Sequence, residues 1–212
     1  MSDISNNGAK SADLMNMVST KNVFTKEELD LIIKLGTNEE NSTGLGPARV
    51  GQNLGATDET GYSGLLDNEI RRCSVSGIAL SDDTNWIFQR IREVVGDANI
   101  AYFNFNINAI DILQLTRYDG TNSPEFYHRH VDLGFSEIDA QRKLSVTVQL
   151  SDPNDYDGGD LILYHISGDL ATANRERGAI TIFPSFISHE VTPVTRGIRY
   201  SLVAWTLGPA FR

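Results

Sequence analysis

The chain has 212 residues, 40% of them hydrophobic, and a formal net charge of −10. Length and apolar content fit one domain with its own core. The acidic balance argues against a nucleic-acid surface, which needs clustered Lys and Arg, and the longest basic runs are only pairs such as Arg71-Arg72. No apolar run approaches the roughly 20 residues that span a bilayer. No basic stretch followed by an apolar one marks a secretory leader. The single cysteine, Cys73, excludes an internal disulfide and fits a reducing, cytoplasmic setting.

Residues 1–20, rich in Ser, Asn and Asp, read as a flexible tail ahead of a single domain over 21–212. Thr25-Lys26-Glu27-Glu28 has the form of a capping box. Leu29, Ile32, Ile33 and Leu35 then make a helical apolar stripe that Gly36 is expected to stop. Residues 37–64 carry many Gly, Asn and Thr, and read as either a plain surface loop or a cover over a site. Ile70–Leu80 reads as a strand. Ser81 is placed to cap a helix from Asp82 to Val95, with Trp86, Ile87, Ile91 and Val94 on its buried face and Gly96 at its end.

From about residue 101 the pattern changes to short strands: Ala101–Phe105, Asp111–Tyr118, the stretch around His130, Leu144–Leu150, Asp160–His165, Ala179–Phe183, Glu190–Pro193 and Ile198–Thr206. Turns such as Asp119-Gly120, Asp157-Gly158-Gly159 and Arg196-Gly197 separate them. Residues 21–100 are therefore expected to form a helical and loop support, and 101–212 a sandwich or barrel, giving a mainly β fold with flanking helices.

The chemistry concentrates in Phe126-Tyr127-His128-Arg129-His130-Val131-Asp132. Residues two apart on a strand share a face, so His130 and Asp132 can aim an imidazole and a carboxylate at one point. With His189 they make a facial triad of two histidines and a carboxylate, which leaves three positions of an octahedral Fe(II) open. Arg199 follows ten residues after His189, with Ser201 two further on. A buried Arg calls for an anionic partner, and bidentate binding of a carboxylate suits its planar fork. An iron site that uses an α-keto acid needs such an anchor.

In this order, His130-x-Asp132, His189 and Arg199-x-Ser201 resemble the iron(II)- and 2-oxoglutarate-dependent dioxygenases, and within them the prolyl 4-hydroxylase-like branch. Tyr127, three before His130, also matches, as do Asp155 to Leu161, Gly178 to Pro184 and Val191 to Val194. The resemblance runs from about Arg71 to Arg212. It implies a double-stranded β-helix (a cupin-like jelly-roll) with helices on the larger sheet. It implies Fe(II) on His130, Asp132 and His189, and Arg199 on the distal carboxylate of 2-oxoglutarate. It places Tyr118 and Ser201 at the co-substrate and Trp205 near a peptidyl substrate. Gln149 stands where some members carry a second carboxylate-binding tyrosine. Tyr127 and Arg142 join Trp205 as candidate substrate residues. The implied reaction uses O₂, hydroxylates a substrate C–H and releases succinate and CO₂, with ascorbate as an accessory reductant. Asp132 fills the position left for halide in related halogenases, which favours hydroxylation.

Other readings compete. His128-x-His130 would suit a metal site with two histidines from one strand, although the family motif selects His130. His165 reads as structural, and Gly158-Gly159 as a tight turn, since no Lys-Ser/Thr follows it. Two histidines and a carboxylate also make a zinc site for hydrolysis, and a jelly-roll can be a non-catalytic binding module. The expected substrate is a proline in a flexible peptide or protein segment, and the alternative is a free amino acid or other small molecule. No nucleic-acid or membrane partner is expected.

Overall fold

A computed structural model of the chain describes residues 4–6, 17–50, 64–133, 142–165 and 168–210. In chain order the elements are β1 (Ile4–Asn6), β2 (Val18–Thr20), α1 (Lys26–Thr37), β3 (Gly46–Pro47), β4 (Arg71–Arg72), β5 (Ser74–Ile78) and α2 (Asn85–Ala98). There follow a π-helical turn (Asn99–Phe103), β6 (Ala109–Ile110), β7 (Leu113–Asp119), β8 (Glu125–His130), β9 (Arg142–Gln149) and β10 (Tyr156–Gly158). The chain closes with β11 (Leu161–Tyr164), β12 (Leu170–Thr172), β13 (Ile180–Pro184) and β14 (Ser188–Leu207). No helix among the described residues is long and apolar enough to cross a membrane.

The expected jelly-roll is present. A larger antiparallel sheet runs β1-β2-β13-β9-β14-β7-β5-β3. A smaller one forms on the first half of β14, which pairs there with β8, β10 and β11, while β4 extends β8 and β12 extends β11. β14 thus belongs to both sheets.

Period-two alternation sorts the larger sheet's side chains between a core and a cavity. On β9, Leu144, Val146 and Val148 face α1 and α2, while Ser145 and Thr147 line the cavity between the sheets. On β7, Leu113 and Leu115 join the helices, and Gln114, Thr116 and Tyr118 face inward. On β14, Leu202 and Ala204 join the helices, and Arg199, Ser201, Val203 and Trp205 face inward. One apolar cluster therefore glues helices to sheet. A second, with Tyr156, Leu163, Phe183 and Val194, fills the space between sheets.

Several local expectations are corrected. The tail ends earlier than residue 20: Val18–Thr20 is a buried strand on β13, where it covers an otherwise open sheet edge. The capping box of α1 is present, with Glu28 N–H donating to Thr25 Oγ1 at 3.2 Å and Thr25 N–H to Glu28 Oε2 at 2.8 Å. Gly36 does not stop α1. It lies inside the helix, where a Cβ would come within 2.7 Å of Leu115 Cδ2, so its role is close packing on β7. The second helix starts later than Asp82, because Thr84 Oγ1 donates to Ala79 O at 2.6 Å and shapes a preceding turn. Gly96 does not end it; the helix runs to Ala98 and on into the π turn. The strand expected at Ala101–Phe105 is absent. Asn99 holds both backbone groups of Phe105 at 2.9 Å, and Asn104 turns the chain with φ 52°. The two last expected strands are one, β14, with register slips near Val191 and Val194 and again between Trp205 and Leu207.

Candidate metal and keto-acid site

His130 ends β8 and sits directly across the ladder from His189 near the start of β14. Asp132 lies two residues beyond β8, so strand alternation does not place it. Its position comes from the backbone: the N–H groups of Asp132 and Leu133 both donate to Ser185 O at 3.0 Å. Both histidines use the same device. Nδ1 of His130 donates to His128 O at 2.8 Å, and Nδ1 of His189 donates to Ile187 O at 2.9 Å. That tautomer leaves each Nε2 with its lone pair free to bind. These Nε2 atoms lie 3.8 Å and 3.5 Å from the two oxygens of Asp132. The three ligand atoms all fall within 4.8 Å of one another.

The protonation states suit a cation. Burial and then the neighbouring His189 push His130 well below the ordinary imidazole range. Burial works to raise Asp132, but His189, His130 and the Ser145 hydroxyl together hold it below the ordinary carboxylate range. Two imidazole nitrogens and one carboxylate are the donor set that a ferrous ion takes.

Further contacts, which no motif in the sequence marks, fix these residues. Ser145 Oγ donates to Asp132 Oδ2 at 2.6 Å and lies 3.1 Å from Ser185 Oγ. Tyr127, expected at the substrate, lines the cavity and also stacks on His130, and Phe183 meets His189 edge-on at 4.8 Å. His128 points away: its ring is exposed and packs on Phe126 at 4.4 Å, outside the cavity. The -x- spacing of Ser145 and Thr147 was readable as an inward face, but nothing local marked Ser145 as the partner of a residue thirteen positions earlier.

The triad opens on a cavity of about 220 Å³, which Arg199, Ser201, Tyr118, Trp205 and Arg142 also line. Arg199 is 3% exposed. One Nη donates to Ser201 Oγ at 3.3 Å, Nε has no hydrogen-bond partner, and no carboxylate among the described residues pairs with it. A buried guanidinium without a counter-ion is costly, so the site is built for an anion. Gly159 makes room for it: at φ +66°, a Cβ there would come within 2.8 Å of Arg199 Cδ. Tyr118 lies with its ring 5.6 Å from the guanidinium, and burial raises its pKa, so it stays a phenol and a donor. The buried hydroxyl of Thr116 and the indole nitrogen of Trp205 have no partner and line the same space.

One expected residue sits differently. Gln149 does not line this cavity. It faces a smaller hollow beside Arg199 and donates to Tyr156 Oη at 2.9 Å. Arg142 lies over the Trp205 ring at 3.9 Å with Asp111 3.6 Å away, which makes it part of the wall. Of residues 37–64, Arg49 and Val50 reach the cavity, while 51–63 lie outside the described residues, so the expected cover is described only in part.

Comparison with known proteins agrees with this geometry. The family described as the 2OG-Fe(II) oxygenase superfamily matches residues 113–207, which hold all three triad residues and Arg199. The resemblance to these oxygenases is borne out over that segment. A PKHD-type hydroxylase of Pseudomonas paraeruginosa is 37% identical over 94 residues, covering 42% of this chain and 40% of the relative. Another, from Synechococcus, is 45% identical over 62 residues, covering 29% of this chain and 27% of the relative. The matched region therefore spans less than half the length of these curated relatives. Among solved structures, a prolyl-4-hydroxylase of Pseudomonas putida superposes with a TM-score of 0.68 at 17% identity, covering 92% of this chain and 94% of the other. A Trichoplax adhaerens prolyl hydroxylase, solved with a hypoxia-inducible-factor peptide, has a TM-score of 0.56 at 17% identity and covers 86% and 91%. Both share the fold.

Proposed function

We propose that this chain, whose residues 113–207 match the 2OG-Fe(II) oxygenase family, is an Fe(II)- and 2-oxoglutarate-dependent dioxygenase that hydroxylates prolyl residues in a peptide or protein. The observation that carries the proposal is the pairing, in one cavity, of a two-histidine and carboxylate triad with a buried arginine that has no counter-ion among the described residues.

In this reading His130, Asp132 and His189 hold the metal on one face. Arg199, steadied by Ser201, takes the distal carboxylate of the keto acid, and Tyr118 donates a hydrogen bond to it. Leu161, Phe183 and Val191 keep water from the reacting centre. The ferrous ion, when bound, supplies the O₂ chemistry in which 2-oxoglutarate is decarboxylated to succinate. One oxygen atom goes to succinate and one to the substrate C–H, with loss of CO₂. Asp132 occupies the third ligand position and keeps the outcome a hydroxylation. Trp205, which lines the cavity and whose buried indole N–H has no partner, is placed to meet the substrate. Ascorbate as a reductant and a cytoplasmic setting, in keeping with the free thiol of Cys73, belong to the same proposal.

The test is an anaerobic titration with Fe(II) and 2-oxoglutarate, followed by the visible charge-transfer band of the chelate, then O₂ with a library of proline-containing peptides and mass spectrometry. A band followed by a peptide gaining one oxygen is expected. Iron-loaded, folded protein that gives no band would refute the co-substrate assignment.

A further inference from the structure

Four arginines line the cavity, Arg49, Arg71, Arg142 and Arg199, against one acidic side chain among the described residues, Asp132. In a chain of net charge −10 this is a local inversion of sign. Three of the four have an evident occupation. Arg142 lies between Trp205 and Asp111, Arg49 donates to Gly64 O at 2.9 Å, and Arg199 awaits the keto acid.

Arg71 has only neutral neighbours. Its Nε donates to Cys73 Sγ at 3.2 Å and Nη2 to Gln114 Oε1 at 3.3 Å. Its flat face lies 4.4 Å above the Tyr127 ring, which itself stacks on His130. Burial keeps the Cys73 thiol protonated, so it offers no negative charge. Among the described residues Nη1 has no hydrogen-bond partner, and no carboxylate lies within ion-pair distance of the guanidinium. Three contacts hold the fork in place with one edge unspent, on the wall of the cavity and one ring away from a proposed metal ligand.

The co-substrate does not account for that edge. In the proposed function its distal carboxylate goes to Arg199 on β14 and its other carboxylate to the metal. Arg71 is on β4, the outer strand of the smaller sheet, and is joined to the triad only through Tyr127.

We propose that Arg71 binds a carboxylate of the primary substrate, so that the enzyme selects molecules carrying a carboxylate close to the carbon it hydroxylates. This rests on the dioxygenase reading and narrows it. The carboxylate can be that of a free amino acid or that of an acidic side chain beside the target residue in a peptide. An arginine fork held in this way recognises the planar anion in preference to the neutral amide of the same shape.

The test is calorimetric binding to anaerobic protein loaded with Fe(II) and saturated with 2-oxoglutarate. The probes are two matched pairs: L-proline against L-prolinamide, and a proline peptide with Glu beside the proline against the same peptide with Gln. At least one carboxylate member is expected to bind about tenfold or more tightly than its amide, roughly 1.4 kcal/mol, and which pair shows it identifies the source of the anion. Arg71→Gln is expected to erase that preference while the 2-oxoglutarate dissociation constant stays within about twofold. Arg71→Lys, which keeps the charge and loses the fork, is expected to retain part of it. Equal or no binding within both pairs overturns the proposal, as does a preference that survives in Arg71→Gln or a variant whose 2-oxoglutarate affinity collapses instead. Wild-type protein that fails to bind 2-oxoglutarate at all overturns the dioxygenase reading itself.

Discussion

Tyr127 lies flat against His130, with ring centroids 3.5 Å apart and planes 16° from parallel. Together with the Nδ1 bond to His128 O, the stack removes the imidazole's rotational freedom and aims Nε2 before any metal arrives. Tyr127→Ala should therefore weaken divalent-metal binding about tenfold or more, in the range usual for residues that orient ligands. Tyr127→Phe, which keeps the ring, should stay near wild type. Competition with a fluorescent chelator reads both, and equal affinities for the two variants would show that stacking does not orient the ligand.

Ser145 supports Asp132 in the same way from β9, by a 2.6 Å hydrogen bond. Ser145→Ala should lower metal affinity by about 10- to 100-fold while costing only about 1 kcal/mol of stability. Chelator competition beside a urea titration separates the two effects. A large stability loss with unchanged metal affinity would make Ser145 a folding residue only.

For Arg199 the expectation has two sides. Arg199→Met should raise the 2-oxoglutarate dissociation constant by about 30-fold or more, since truncating one partner of a buried charge pair costs about 2–5 kcal/mol. The same change should raise the melting temperature of the ligand-free protein, because it removes a buried charge that has no counter-ion. Melting curves with and without 2-oxoglutarate give both numbers. A variant that melts lower than wild type without ligand would mean that the guanidinium is already satisfied.

Acid should loosen the junction of α1 with α2. Arg90 donates two hydrogen bonds to Glu28, at 2.9 Å and 3.1 Å, and Thr25 N–H adds a third. The Arg90 bonds, and then the Thr25 N–H, lower the Glu28 pKa. A lowered carboxylate pKa stabilises the fold above its ordinary value, and that contribution disappears as pH falls through the folded value. Glu28→Gln should thus cost about 1 kcal/mol at neutral pH and nothing in acid, where the two unfolding curves should converge. Parallel curves across that range would remove Glu28 from the acid response.

The alternation of Leu144–Leu150 and the x-spacing of Arg199 and Ser201 were legible because a strand converts adjacency into opposite faces. That rule alone places Arg199, Ser201 and Trp205 on one wall. It does not place Asp132, which hangs from Ser185 by backbone bonds, or pair Ser145 with it, since those contacts join segments far apart in sequence. Pro193 and Gly197 look like strand breaks, yet the ladder with β7, β8 and β10 carries β14 through them. The aromatic run before Asn104 reads as a strand, and only the Asn99 bonds to Phe105 reveal a turn. Arg71 is invisible for a related reason. As half of a short basic pair it resembles surface charge, and its burial depends on β8 lying alongside.

The long strand β14 carries His189 and Arg199 on one unbroken covalent path. Ten residues of extended chain would cover about 33 Å, yet both side chains border a single small cavity, so the path coils as it crosses from one sheet to the other, with slips near Val191 and Val194 and a left-handed turn at Gly197. In the proposed function this segment sets the span between the metal and the Arg199 anchor. Gaining or losing one residue within 190–198 would rotate Arg199 to the helix side and bring an apolar neighbour inward. Evolution can therefore retune the accepted acid by exchanging the anchor residue, but not by lengthening the chain that carries it.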